Sequence, residues 1–276
     1  DFCNGSGAPM GRRFAERLGI RLIAINDTFN GFLPHDPEPR PRSSRQVQSI
    51  LSSLDADIGF VFNSDMSRAA VVTSAGETLS EEYTVVLTAD EILSRLDRPG
   101  RLVTNVCTTR SLDRVAERHG AEVLKTRVGE PFLVRTMMER RADLAGDGSG
   151  SAAFGGHVAG YDMYAVMGVL LQAMATRSCS SADLADAVPR YAIIKRSIAC
   201  RSSHAYAVLR SFSDAFPDAA VTEDDGFRFD WDRGWMHVRL SMTEPIVRMI
   251  VEWESEDGAE DLALQARGLL ERAVAS

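Results

Sequence analysis

The amino-acid sequence predicts an α/β protein: two α/β/α domains followed by a smaller α+β domain at the carboxyl end. Short apolar runs alternate with amphipathic helical stretches from residue 8 to residue 176, the pattern of a largely parallel sheet covered on both faces. Beyond residue 190 that alternation stops, and hairpin-like strands precede one last helical stretch. With 276 residues, 45% of them hydrophobic and 25% charged, the chain has room for two or three domains of roughly 100 to 150 residues each.

Ala8–Arg17 has helical spacing and leads into the apolar run Leu18–Ile25, read as a strand. Asn30–Pro41 carries four prolines and Gly31, so it is an irregular connector. The amphipathic stretch Ser44–Leu54 gives the next helix and Asp57–Phe62 the next strand. The pattern then repeats: helix Ser80–Leu96, strand Arg101–Asn105, helix Ser111–His119, strand Glu122–Thr126 and helix Pro131–Arg140. Residues 143–150, Asp-Leu-Ala-Gly-Asp-Gly-Ser-Gly, read as a loop, and a long apolar helix follows over Asp162–Thr176, ending in the polar run Arg177–Ser181. The last third reads as strand Arg190–Ala199, helix Ser203–Ala215, strands Gly226–Trp231, Trp235–Leu240 and Arg248–Trp253, and helix Ala259–Ala275. These segments group into domains at 1–82, 83–186 and 187–276.

Thirty-one Lys and Arg against 39 Asp and Glu give a net charge of -8, so no global positive field draws in nucleic acid or an anionic membrane, and neither is expected as a partner. The longest apolar stretch, Met163–Ala175, falls short of the roughly 20 residues that cross a bilayer. Cys3, Cys107, Cys179 and Cys200 are scattered, with no Cys-x-x-Cys pair, which implies reduced thiols and a cytoplasmic location. No charged segment followed by an apolar one opens the chain, so no signal peptide is expected. The five histidines show no metal spacing, and without a Gly-x-Ser-x-Gly elbow hydrolysis is disfavoured.

Three segments combine residue types that carry chemistry. Arg239-Leu-Ser241-Met-Thr243-Glu-Pro245 places a guanidinium fork and two hydroxyls within five residues, which suits a terminal phosphate, although on residue types alone a polar hairpin turn is the simpler reading. Asn63-Ser-Asp65-Met-Ser67-Arg68 follows a strand at its carboxyl end, where α/β sheets bind ligands. Oxygen-bearing side chains at alternate positions could converge on Mg²⁺, but only Asp65 is a carboxylate, and a plain turn remains the simpler reading. Gly146-Asp147-Gly-Ser149-Gly-Ser151 allows close backbone approach and offers a carboxylate for vicinal hydroxyls, or is a surface loop. The early Asn4-Gly5-Ser6-Gly7 lacks the lysine of a P-loop and reads as a tight turn.

Taken in order, these residues resemble the α-D-phosphohexomutase family, the phosphomannomutases and phosphoglucomutases. Asp1–Gly7 is similar to the D-x-x-N-G-x-G opening of that family's second domain, and Asn30–Pro39 to its D-G-x-F-P-x-x-x-P-x-P segment. Arg239–Pro245 is similar to its R-x-S-x-T-E-P phosphate loop. The resemblance covers domains two, three and four, and implies two phosphohexomutase-like α/β/α domains followed by the smaller α+β domain. It implies a hexose phosphate as ligand, phosphate exchange between the 1- and 6-oxygens, and Mg²⁺ as cofactor.

Residue by residue, Asn63, Asp65 and Ser67 stand where the family's D-G-D-x-D-R loop has three Mg²⁺-binding aspartates, so the implied metal site is weakened; Arg68 matches that loop's arginine, in a supporting place. Asp147 and Ser149 match the G-E-x-S-G sugar-hydroxyl loop, with Ser151 at the usual histidine, and Glu130-Pro131 adds negative charge where a basic or polar residue is common. Arg239, Ser241 and Thr243 keep the phosphate loop intact. The serine that the family phosphorylates belongs to a first domain; the nearest string here, Ser202-Ser-His204-Ala205, lies in the last domain, so the chain contains no assigned catalytic nucleophile and is expected to be inactive by itself. The expected function is hexose-phosphate binding, with mutase activity where a first domain is present. The alternative is a non-catalytic regulatory or assembly subunit in a homo- or hetero-oligomer.

Overall fold

The computed structural model describes residues 1–200, 212, 215–241 and 244–275, which form two compact units, Asp1–Pro189 and Arg190–Ser276. The first unit begins with helix α1 (Ala8–Leu18), stopped by Gly19 in the left-handed conformation. A 3₁₀ turn at Pro41–Ser44 leads into α2 (Arg45–Leu54), and β1 (Ile58–Phe62) pairs antiparallel with β2 (Ala69–Thr73), Ile58 opposite Thr73 and Phe62 opposite Ala69.

Strand β2 is absent from the sequence reading, and the expected strand Leu18–Ile25 does not form. Residues 1–4 stand between that run and β1 instead: the Asp1 amine donates to the Phe60 carbonyl, Phe62 N–H to Asp1, and the Phe2 and Asn4 N–H groups to Ile25 and Asn26. This inserted strip is too short to ladder the whole run. Ile20, Leu22 and Ile23 turn instead toward an apolar cavity of about 320 Å³ shared with Ile50, Leu54 and Met167.

The second half is a four-stranded sheet of order β4-β3-β5-β6: β3 (Arg101–Asn105) is parallel to β4 (Glu122–Thr126) and to β5 (Leu144–Asp147), with β6 (Ser151–Phe154) antiparallel to β5. Residues 143–150 are thus largely the first strand and turn of a hairpin, not a loop. Small residues hid the strand: a Cβ on Gly146 would sit 2.4 Å from the Ser151 carbonyl oxygen, so the closest part of the hairpin excludes the β-branched residues that mark a strand.

Side chains alternate across this sheet. Leu102, Leu144 and Ala152 join one core with α3 (Glu82–Ser94), α4 (Arg110–Arg118) and α6 (Met163–Arg177), while Val103, Ala145 and Ala153 join another with α5 (Glu130–Arg140). Helix α7 (Ser181–Asp186), opened by a Ser180–Asp183 capping box, occupies part of what the sequence presents as a polar run. The Ala69 N–H donates to the Gly150 carbonyl at 2.9 Å, so β2 starts where the β5–β6 hairpin turns.

The second unit is one antiparallel sheet of order β7-β11-β10-β9-β8: β7 (Ala192–Ala199), β8 (Ala220–Thr222), β9 (Phe227–Trp231), β10 (Gly234–Leu240) and β11 (Ile246–Trp253). Met236, Val238, Val247, Met249 and Val251 face α8 (Glu256–Ala275) through Ala259, Leu262, Ala266 and Leu270. The expected helix Ser203–Ala215 and the Ser202–Ala205 string lie outside the described residues, apart from Phe212 and Ala215. Among the described residues no helix is long and apolar enough to cross a membrane.

An ion network ties the carboxyl ends of three helices in the first unit. Asp90 accepts from His119 Nε2 and Arg177 Nη1, both at 2.9 Å, and Arg177 also meets Glu91 at 2.8 Å. Burial opposes the ionisation of Asp90, yet the hydrogen bonds from His119 and Arg177 outweigh it and hold its carboxyl below the ordinary range. A carboxyl depressed in the folded state stabilises it above the unfolded pKa and loses that contribution as pH falls through the folded one. Asp90→Asn should therefore destabilise the first unit by roughly 1 to 3 kcal/mol at pH 7. Thermal melts should show the gap to the parent closing as the pH drops below about 4.

Candidate functional site

Asn63–Arg68 forms the turn between β1 and β2 and is closed by its own side chains. Asn63 accepts the Arg68 N–H (2.9 Å) on its carbonyl oxygen and donates to Ser67 Oγ (2.9 Å), and Ser67 donates both its N–H (2.9 Å) and its hydroxyl (2.7 Å) to Asp65 Oδ1. Partial burial works against ionisation of Asp65, but the Ser67 and Asn63 hydrogen bonds and the Arg68 charge hold its carboxyl below the ordinary range. Arg68 itself pairs with Glu38 from the proline-rich connector. The Asn4–Gly7 segment is the tight turn the sequence suggests: Ser6 N–H donates to the Ser64 carbonyl, and a Cβ on Gly5 would lie 2.0 Å from that same oxygen.

The second loop, at the tip of the β5–β6 hairpin, is built around the buried carboxylate of Asp147. Its Oδ1 accepts from Ser149 N–H (2.9 Å), Ser149 Oγ and Ser151 Oγ (3.0 Å), and its Oδ2 from Asn105 Nδ2 (3.1 Å) at the end of β3. Asn105 is itself fixed by the Cys107 N–H and the Thr108 hydroxyl, which donate to its carbonyl oxygen.

Glu82, in the first turn of α3 and 1% exposed, lies behind this loop. It accepts the Thr109 N–H at the start of α4 (3.0 Å), and a Cβ on Gly148 would fall 2.1 Å from either of its oxygens. The turn can approach the Glu82 carboxylate only as glycine. Around Tyr161, just before α6, lie Asp147, Ser151, Glu130 and Arg68, so the three loops that carry these residues converge on one region.

In the second unit, Arg239 lies at the end of β10, directly opposite Arg248 of β11. Ser241 N–H donates to the Ile246 carbonyl (2.9 Å), the Glu244 N–H to Ser241 Oγ (3.3 Å), and Arg248 Nη2 pairs with Glu244 at 2.6 Å. Arg248 Nε is buried without a hydrogen-bond partner. On the same face of β10 two residues earlier, His237 donates from Nε2 to the Asp225 carbonyl at 2.6 Å; burial, aided by Arg228 and Arg239, pushes its pKa down to about 4, so the ring is neutral beside the arginines. Thr243 lies outside the described residues.

Comparison with known proteins follows these same segments. The family profile described as phosphoglucomutase/phosphomannomutase, alpha/beta/alpha domain II, matches residues 1–76, and that for domain III matches residues 80–191. The chain belongs to the phosphoglucomutase/phosphomannomutase family. A phosphoglucomutase/phosphomannomutase of Thermococcus kodakarensis is 29% identical over 99% of this chain and 60% of its own length. A protein of Pyrococcus horikoshii named probable phosphoglucosamine mutase is 28% identical over 99% of this chain and 61% of its own length. The crystal structure of a family protein from Burkholderia thailandensis superposes with a TM-score of 0.85 at 28% identity, covering 99% of this chain and 59% of that one. The chain therefore spans about 60% of the length of the curated relatives it matches.

Within this phosphohexomutase frame, the structure joins Asn63, Asp65 and Ser67 in one turn, Asp147 and Ser149 in another, and Arg239 with Ser241 in a third. Sequence reasoning missed Arg248, Asn105, Glu82 and Tyr161. Arg248 was open to discovery, because a second arginine within a strand that follows a phosphate loop pairs across a hairpin register; the other three come from distant segments and carried no signal.

The placement of Glu82 generates a test. Glu82→Ala should cost roughly 1 to 3 kcal/mol of stability by stranding the Thr109 N–H. Amide exchange should accelerate at residues 105–109 and 147–151 while the β3–β4 ladder stays protected.

Proposed function

We propose that this chain supplies the sugar- and phosphate-binding part of a phosphohexomutase, dividing at 1–82, 83–186 and 187–276, and that its ligand is a hexose phosphate. The observation that carries the reading is the Arg239–Arg248 pair, two arginines opposite each other beside the Ser241 loop, with one buried, unpartnered Nε–H on Arg248. A phosphate dianion satisfies such donors with charge-assisted hydrogen bonds that a neutral ligand cannot match. Ser241 and Thr243 add hydroxyl donors in this reading, while Asp147 and Ser149 take the sugar hydroxyls. These residues bind and orient; the exchange of phosphate between the 1- and 6-oxygens needs a nucleophile that we do not assign to this chain.

The donor set at Asn63, Asp65 and Ser67 does not fit Mg²⁺. The family's chemistry uses the cation to neutralise phosphate charge, and a hard divalent ion is held by several carboxylates. Here there is one carboxylate, Asp65, whose Oδ1 is already occupied by Ser67, while the Asn63 amide oxygen is spent on the Arg68 N–H. Among the described residues no group of three His, Cys, Asp or Glu side chains could hold a metal. This closed loop favours a second reading, that the protein is a non-catalytic regulatory or assembly subunit of a mutase.

Calorimetric titration with glucose 1-phosphate and mannose 1-phosphate, with and without Mg²⁺, tests the proposal. Saturable binding to one of them is expected, weakened by about 1.5 to 3 kcal/mol in Arg239→Ala, or roughly ten- to 150-fold. Equal binding by that variant removes the phosphate assignment, and no binding by the parent leaves the subunit reading. Replacing Asn63 and Ser67 together by Asp should create measurable Mg²⁺ affinity where the parent has little; unchanged affinity would show that the turn is no relic of a metal loop.

A further inference from the structure

The Arg248 guanidinium is half paired. Its side chain is 42% exposed, yet its Nε atom is buried without a hydrogen-bond partner, while Nη2 meets Glu244 Oε2 at 2.6 Å. Nε and Nη2 lie along one edge of the planar group, spaced to meet two oxygens of a single anion. Arg228, two strands away on β9, shows that edge filled: its Nε and Nη2 donate to Asp230 Oδ2 and Oδ1 at 2.9 and 2.8 Å. Glu244 serves one nitrogen of the corresponding pair on Arg248 and leaves the other.

The loop holds the Glu244 backbone and not its carboxylate. The Glu244 N–H donates to Ser241 Oγ at 3.3 Å and its carbonyl accepts the Ile246 N–H at 2.8 Å, whereas the side chain is 53% exposed. The carboxylate can therefore move into water while the turn keeps its shape. On the other side of Arg248 stands Arg239, its register partner, whose Nη1 donates to the Leu240 carbonyl at 3.4 Å. An anion that takes both Nε and Nη2 of Arg248 meets the Glu244 carboxylate at the shared nitrogen. Two oxyanions within hydrogen-bond distance of one nitrogen lie within about 6 Å of each other, where like charges repel.

We propose that Glu244 is an internal stand-in for the ligand's phosphate: its carboxylate compensates Arg248 in the free chain and gives way when a phosphate ester takes the Nε–Nη2 edge. The inference rests on reading the Arg239–Arg248 pair as the phosphate site. A carboxylate tethered beside its partner competes at a high effective concentration, so Glu244 lowers the affinity of the site and favours release of what it binds. The buried Nε–H, unserved in the free chain, is then satisfied in the bound one.

Calorimetric titration of Glu244→Gln with glucose 1-phosphate and mannose 1-phosphate tests the exchange. The variant should bind the preferred sugar phosphate roughly three- to tenfold more tightly than the parent. In an Arg248→Gln background the same change should have no effect, because the group being competed for is gone. Unchanged or weaker binding by Glu244→Gln overturns the proposal, and so does a gain of equal size in the Arg248→Gln background, which would come from general charge repulsion. A second readout needs no Glu244 variant: with arginine labelled by ¹⁵N, the Arg248 Nε–H resonance, identified by its loss in Arg248→Gln, should move as the parent is saturated with sugar phosphate. A stationary resonance at saturation sinks the exchange. Binding by the parent without a gain in Glu244→Gln leaves the phosphate site standing and removes the stand-in alone; no binding by either protein removes both.

Discussion

A carboxylate cannot be withdrawn from water without donors to replace it, and the candidate site of the first unit is organised around two of the several that are, Asp147 and Glu82. Each draws its donors from segments distant in the chain: Asn105 from the end of β3, Thr109 from the start of α4, and the serines of the hairpin turn itself. The glycine spacing of that turn follows from the same constraint, since Gly148 must lie against the Glu82 carboxylate and Gly150 must present its carbonyl to Ala69. Three strand and helix ends are thereby held in one place, and a turn that could have been a flexible surface loop is fixed by its own buried carboxylate.

The second unit solves the converse problem. Two arginines face each other across a β-ladder, Arg239 and Arg248, with Glu244 compensating one of them. Like charges opposite each other in a sheet are unfavourable unless something negative lies between or beside them. His237 beneath them stays neutral, so the face adds no third charge. The proposed phosphate ester would supply a counter-charge to this pair, which is why the two arginines, more than the hydroxyls of the loop, carry the proposal of an anionic ligand.

The turn at Asn63–Arg68 is held between two strands by side chains that satisfy one another. Its backbone still ends β1 and opens β2, and the Asn4–Gly7 turn still packs against Ser64. Its amide and hydroxyl groups satisfy one another and the Asp65 carboxylate, where three carboxylates in the same turn would repel. The Arg68–Glu38 pair absorbs the remaining positive charge.

The α/β class, most helices and the central strands were legible from periodicity, because a helix that buries one face must repeat every 3.6 residues wherever it packs. The order of the motifs sufficed for the family. The β5–β6 hairpin was not legible, since Leu-Ala-Gly-Asp lacks the bulky residues of a strand and its pairing depends on how closely Ser151 and Val85 approach Gly146. Nor was the failure of Leu18–Ile25 to form a strand: that run is apolar enough, but residues 1–4, beside it only in three dimensions, give it too short an edge. By itself, then, the sequence determined which residue types stand at the ends of which strands. Only the tertiary structure decided which of them are buried, which hold one another, and that Glu82, Asn105 and Tyr161 belong with Asp147, because hydrogen-bond satisfaction in the interior is settled among groups that the chain brings together from far apart.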